Sequence, residues 1–141
     1  MTNPPLTSMR MTRRFDASPE RVFDAWLDKS WGEWAGPPGV KGEVTLLEPR
    51  VGGRYRIVMH REGGALVVSG IYKEISRPSR LVMSWTWDGE GVDTQITLTF
   101  TAKGDGTELH MRHEGFADAG RRDGHQMGWV GTFDKLEKFL A

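Results

Sequence analysis

The sequence contains no cysteine. Disulfides and thiolate-bound metals are therefore excluded, and the composition suits a reducing compartment. Neither charge is in excess: 19 Lys and Arg stand against 19 Asp and Glu, a formal net charge of +0. Nucleic-acid-binding domains carry a basic excess or stripe, so no nucleic-acid partner is expected, and the pairs Arg13-Arg14 and Arg121-Arg122 read as solvated faces. No apolar run approaches the roughly 18 residues of a membrane span. The opening MTNPPLTSMR has no apolar stretch of the signal-peptide kind. A soluble, cytoplasmic protein is expected.

Catalytic signatures are missing as well. There is no Gly-x-Ser-x-Gly and no glycine loop that would cradle phosphate. The four histidines are His60, His110, His113 and His125. His110 and His113 fall on a predicted strand, where positions three apart point to opposite faces, so one ion cannot be held by both. Glu48, Asp88, Glu90 and Asp93 read as surface charges at strand ends. No metal, no cofactor and no catalytic constellation are expected.

What the chain does have is aromatic weight: six tryptophans in 141 residues. Two stand in DKSWGEWAGPPG, residues 28–39, beside a run of helix breakers. An indole in a plain surface loop wastes its apolar area, so Trp31 and Trp34 are expected to act as an end plug or a pocket lid. Trp26 belongs to the preceding helix, Trp85 and Trp87 share one face of a strand, and Trp129 lies on the last helix; these read as core or as pocket lining.

The element pattern starts with a loose tail over residues 1–7, followed by a domain over 8–141. Met9, Met11 and Phe15 alternate as a first strand. Ser18-Pro19 opens a helix, with serine as cap and proline in the first turn. Val22, Phe23, Trp26 and Leu27 form its apolar face. Six strands follow at short spacing, joined by Gly- and Pro-marked turns, which predicts an antiparallel meander. Gly70 inside one of them predicts a bulge or a close backbone approach. From about 120 to 140 the period changes: His125, Trp129, Leu136 and Leu140 fall on one helical stripe with Phe133 beside them. Gly124, Gly128 and Gly131 lie off that stripe and each costs about 1 kcal/mol of helix propensity. The fold class is α+β, with the long helix covering one sheet face and a ligand-sized cleft between them.

The segments FDASPERVFDAWLDKSWGEWAGPPG, EVTLLEPRVGGRYRIVM, GIYKEISRPSRLVMSWTW, TQITLTF and GHQMGWVGTFDKLEKFL resemble, in order, the AHSA1-like domain of the activators of Hsp90 ATPase and their bacterial homologues. That family lies within the START-like (Bet v 1-like, SRPBCC) superfamily. The resemblance implies a helix-grip fold: a curved antiparallel sheet of about six or seven strands around a long C-terminal helix, with two short helices after the first strand. It also implies a cavity. Superfamily members bind lipids, sterols, polyketides or aromatic compounds there, and a few are cyclases or hydrolases. In eukaryotic activators the domain accompanies a separate N-terminal domain that stimulates the chaperone, whereas this chain opens directly on the first predicted strand.

Three functions follow as alternatives. The first is a cavity for a small apolar or aromatic ligand, lined by Trp26, Trp31, Trp34, Tyr55, Ile57, Met59, Tyr72, Trp85, Trp87, His125, Trp129 and Phe133. In that reading Trp34 closes the mouth, and His125 or Tyr72 supplies an orienting hydrogen bond. The second is an interaction module with a chaperone as partner. The third is a cyclase- or hydrolase-like enzyme, whose best titratable pair would be His60 with Glu114 or His125. A homodimer is compatible with each.

Overall fold

A computed structural model describes residues 7–141. The expected tail lies outside the described residues except for Thr7, whose carbonyl accepts from Gly115 and Phe116. The elements run β1 (Ser8–Phe15), α1 (Pro19–Asp24), α2 (Trp31–Trp34), β2 (Lys41–Leu47), β3 (Arg54–His60), β4 (Leu66–Ser76), β5 (Arg80–Trp87), β6 (Thr94–Lys103), β7 (Gly106–Glu114) and α3 (Ala119–Leu140). The seven strands form one antiparallel sheet in the order β1-β7-β6-β5-β4-β3-β2. Six sequential strands thus make a meander, and β1 closes onto β7 with Phe15 opposite Thr107. Register shifts between Val44 and Leu46 and between Tyr72 and Glu74 bend the sheet. The concave face wraps α3.

Local chemistry accounts for the ends of the helices. The Ser18 hydroxyl accepts from the Arg21 N–H at 3.2 Å, as expected of a cap before Pro19. Asp118 accepts from the Arg121 N–H at 2.8 Å and starts α3. Leu140 ends α3, and its carbonyl receives the Arg21 guanidinium, which ties the two helices together. The covered face of α3 holds Trp129, Phe133, Leu136 and Leu140, the expected stripe, together with Thr132. Its other side is pinned to β1 by Arg13 and Asp134 at 2.7 Å.

Two close approaches set where the small helices sit. α2 lies on β2 through glycine: a Cβ on Gly42 would stand 2.7 Å from the Gly32 carbonyl oxygen. Within β4, a Cβ on Gly70 would overlap the Ser84 carbonyl oxygen and come within 2.5 Å of the Tyr55 ring. The Tyr55 hydroxyl uses that space to donate to Ser84 O at 2.6 Å. The close approach expected at Gly70 is therefore a packing site for a phenol.

Candidate functional site

At the end of the sheet where β3, β4 and β5 turn, the layers separate and leave a cavity of about 450 Å³, within the range of small-molecule sites. Trp31, Met59, Trp85 and Trp129 form its inner walls, and Trp87 and His125 stand nearer the opening. The loop Ala35-Gly36-Pro37 with Val40 supplies one side. Helix α3 supplies another, through Gly124, Gly128 and Thr132. Leu66 and Val67 of β4 complete the apolar wall, and Arg61, Asp88, Glu90 and Arg121 rim the mouth.

The indoles pack against one another. Trp85 lies 5.0 Å from Trp129 and meets Trp87 edge-on at 5.5 Å. Below them Trp26 contacts Trp31, Trp34 and Trp129. Offset and edge-on pairs of this kind add about 0.5–1.5 kcal/mol each beyond area burial.

Two hydrogen-bond chains run through the wall. Trp87 Nε1 donates to His125 Nε2 at 2.8 Å, and His125 Nδ1 lies 2.7 Å from the Arg121 carbonyl. An indole N–H only donates and a carbonyl only accepts, so His125 carries its proton on Nδ1. Behind it, Trp129 Nε1 donates to His113 Nδ1 at 3.1 Å. His113 Nε2 then donates to Thr94 Oγ1 at 2.7 Å, and Thr94 donates to Trp85 O at 2.6 Å. Burial, and secondarily the neighbouring His125, pushes the pKa of His113 well below its ordinary value. Thr132 donates to the Gly128 carbonyl at 2.8 Å. The charges sit at the mouth, where Arg121 pairs with Glu90 and reaches Asp118 at 3.6 Å.

Six of the twelve residues singled out from the sequence line the cavity: Trp31, Met59, Trp85, Trp87, His125 and Trp129. The other six, Trp26, Trp34, Tyr55, Ile57, Tyr72 and Phe133, do not line it and are fully buried in the core around it. Trp34, expected at the mouth, is stacked on Trp31 and edge-on to Trp26 in the core. Tyr72, expected to orient a ligand, donates its hydroxyl to Trp26 O at 2.7 Å. The pair suggested for catalysis does not form. His60 points away from Met59 and bonds Glu43 at 3.0 Å, and Glu114 pairs with Arg112 at 3.4 Å. His113 faces the core, whereas His110 bonds Thr12 at 2.8 Å on the opposite face.

Several positions that line the cavity were not singled out from the sequence. Asp88, Glu90 and Arg121, read there as surface charges, rim the cavity, and Gly124 and Gly128, placed off the stripe, wall it. The signal for α3 was present in its phase, since Arg121, Gly124, His125, Gly128, Trp129 and Thr132 recur at three- and four-residue steps on one face. Nothing local marks Asp88 or Glu90.

Among the described residues no cluster of three or more His, Asp or Glu is arranged to hold a metal ion, and no helix is long and apolar enough to cross a membrane. The family model "Activator of Hsp90 ATPase homolog 1-like protein" matches residues 16–141. The crystal structure of a Chromobacterium violaceum protein superposes with a TM-score of 0.89 at 27% identity, covering 95% of this chain and 96% of that one. A Rhodobacter sphaeroides protein gives 0.82 at 27% identity, with 95% and 91% covered. The AHSA1 protein of Silicibacter pomeroyi gives 0.82 at 25% identity, with 94% and 96% covered. No curated protein matches the chain significantly. The chain belongs to the AHSA1-like family, and family and fold together support a ligand-binding or interaction domain.

Proposed function

We propose that this AHSA1-like domain binds a small apolar or aromatic molecule in the cavity between β3–β5 and α3. One observation carries the reading: about 450 Å³ of space is walled by four indoles, two of which, Trp87 and Trp129, have their N–H groups bonded to histidines. A ligand entering this space meets flat apolar faces inside and charge only at the mouth. Apolar contact therefore dominates affinity, and any polar group on the ligand is oriented outward toward Arg61 or the Arg121–Glu90 pair. The large exposed apolar residues Val51, Leu66, Ile71, Met127 and Val130 are spread over a turn, β4 and α3, so the enclosed surface supports ligand binding better than it supports protein docking. His125 has both nitrogens occupied and no carboxylate bonded to it, which favours binding over acid–base catalysis.

The test uses the six indole N–H resonances of the ¹⁵N-labelled protein, titrated with a panel of fatty acids, sterols and aromatic compounds. Binding in the cavity moves Trp31, Trp85, Trp87 and Trp129 more than the core residues Trp26 and Trp34. If no compound moves them, and native mass spectrometry of freshly purified protein finds no retained small molecule, the reading is wrong.

A further inference from the structure

Gly124 and Gly128 stand one helical turn apart in α3, each at a cost in helix propensity. Packing explains a glycine elsewhere in the same helix: a Cβ on Gly131 would stand 2.7 Å from Pro38 and 3.1 Å from Pro37. It explains nothing at Gly124 or Gly128, where a Cβ would meet no atom within 4 Å. Both backbones are in a right-handed helix, so neither needs the left-handed region that favours glycine. What the two share is the cavity, which they wall between His125, Trp129 and Thr132. Opposite them, Trp85 is 4% exposed and lines the same cavity with its ring, while its indole N–H is buried away from that space.

We infer that Gly124 and Gly128 are specificity determinants that leave the helix backbone bare so that a planar ring lies flat against α3. The inference rests on the cavity being a ligand site and specifies the ligand's shape. The two glycines are about 6 Å apart along the axis, from a rise of about 1.5 Å per residue, which is the span of a fused bicyclic ring. Side chains at these positions would hold such a ring away from the helix and fill the slot. A flexible alkyl chain needs no flat slot and could bend around a methyl group.

The experiment compares 2-naphthol, planar with one oxygen, and dodecanoic acid, a flexible chain, on the wild type, Gly128→Ala, Gly128→Leu and the exposed control Val130→Ala. Affinity is read by calorimetry and location by the indole resonances. In the wild type, 2-naphthol binds and shifts Trp85. Gly128→Leu weakens it by about tenfold or more, and Gly128→Ala weakens it less. The ligand-free melting temperature of Gly128→Ala rises by about 4 °C, because alanine is the better helix former and meets no obstacle. Val130→Ala leaves affinity unchanged. If Gly128→Leu does not fold, Gly128→Ala carries the comparison. Unchanged affinity of 2-naphthol in the Gly128 variants, or cavity shifts with dodecanoic acid alone, overturns this inference and leaves the cavity reading standing. If neither probe moves a cavity indole in the wild type, both are overturned.

Discussion

The indole N–H of Trp129 donates to Nδ1 of His113 across 3.1 Å, joining the long helix to the last strand through a fully buried imidazole. The bond requires a lone pair on Nδ1, and Thr94 takes the proton on Nε2. Protonation would turn Nδ1 into a donor facing another donor.

Stability should therefore fall on mild acidification. Burial first, and His125 second, hold His113 neutral well below 6.5, the ordinary value it regains on unfolding. Below about pH 6.5 the unfolded chain binds a proton that the folded chain refuses, so stability is full above that pH and declines beneath it. The limiting slope is about 1.4 kcal/mol per pH unit for one proton. Urea unfolding between pH 7.5 and 5.5 should show this decline, flattened in His113→Gln, whose amide can still accept from Trp129 and donate to Thr94. Equal slopes in the two proteins would show that His113 is not the titrating group.

Trp34→Ala should destabilise the domain rather than open its cavity. The side chain is 0% exposed and packs 4.7 Å from Trp26. Its removal leaves a void costing about 3–5 kcal/mol, read from the urea midpoint. Trp87→Ala, at a half-buried position in the cavity wall, should cost less and weaken ligand binding more. The reverse order would put Trp34 at the mouth.

Lys135 should matter for the loop that walls the cavity. Its Nζ donates to Ala35 O and Val40 O, each at 2.8 Å. Lys135→Met keeps the stem and loses both bonds, at a cost of about 1–3 kcal/mol. Hydrogen exchange should quicken at the Val40 amide, which bonds Pro37 O at 3.1 Å, with amides of β6 unchanged. Unaltered exchange at Val40 would mean that the loop holds itself.

Gly70→Ala should be far worse than one methyl group suggests. The new Cβ would overlap Ser84 O and crowd the Tyr55 ring, so a loss of about 3 kcal/mol is expected, at the upper end of overpacking. Tyr55→Phe, which removes only the hydroxyl on Ser84 O, should cost about 1 kcal/mol. A melting temperature for Gly70→Ala within a degree of the wild type would contradict the close approach.

The elements and their inward faces could be read from short stretches of chain. Ser18-Pro19 announces α1 because capping is settled within four residues. The stripe Trp129, Phe133, Leu136 and Leu140 shows the buried side of α3 because its period repeats. The alternation Tyr55-Ile57-Met59 gives the inner face of β3 for the same reason. Periodicity reports which face a side chain takes and nothing about what stands opposite it. Tyr55 and Met59 share a face, yet only Met59 reaches the cavity, because Trp31 and Tyr72 close over Tyr55.

By itself, then, the sequence determined the order of strands and helices, the side each turns inward, and, through its ordered segments, the family. The tertiary structure alone decided which aromatics are wall and which are core. Trp34 is adjacent in sequence to the cavity loop but is turned under Trp26, and Trp85 and Trp87 reach the cavity because the sheet and α3 diverge at that end. It also decided that Glu90 and Arg121, 31 positions apart, meet across one mouth. Backbone periodicity is a local property, whereas a cavity is the space left where distant elements fail to touch. That space depends on sheet curvature and on the bare face at Gly124 and Gly128, which no window of neighbouring residues records.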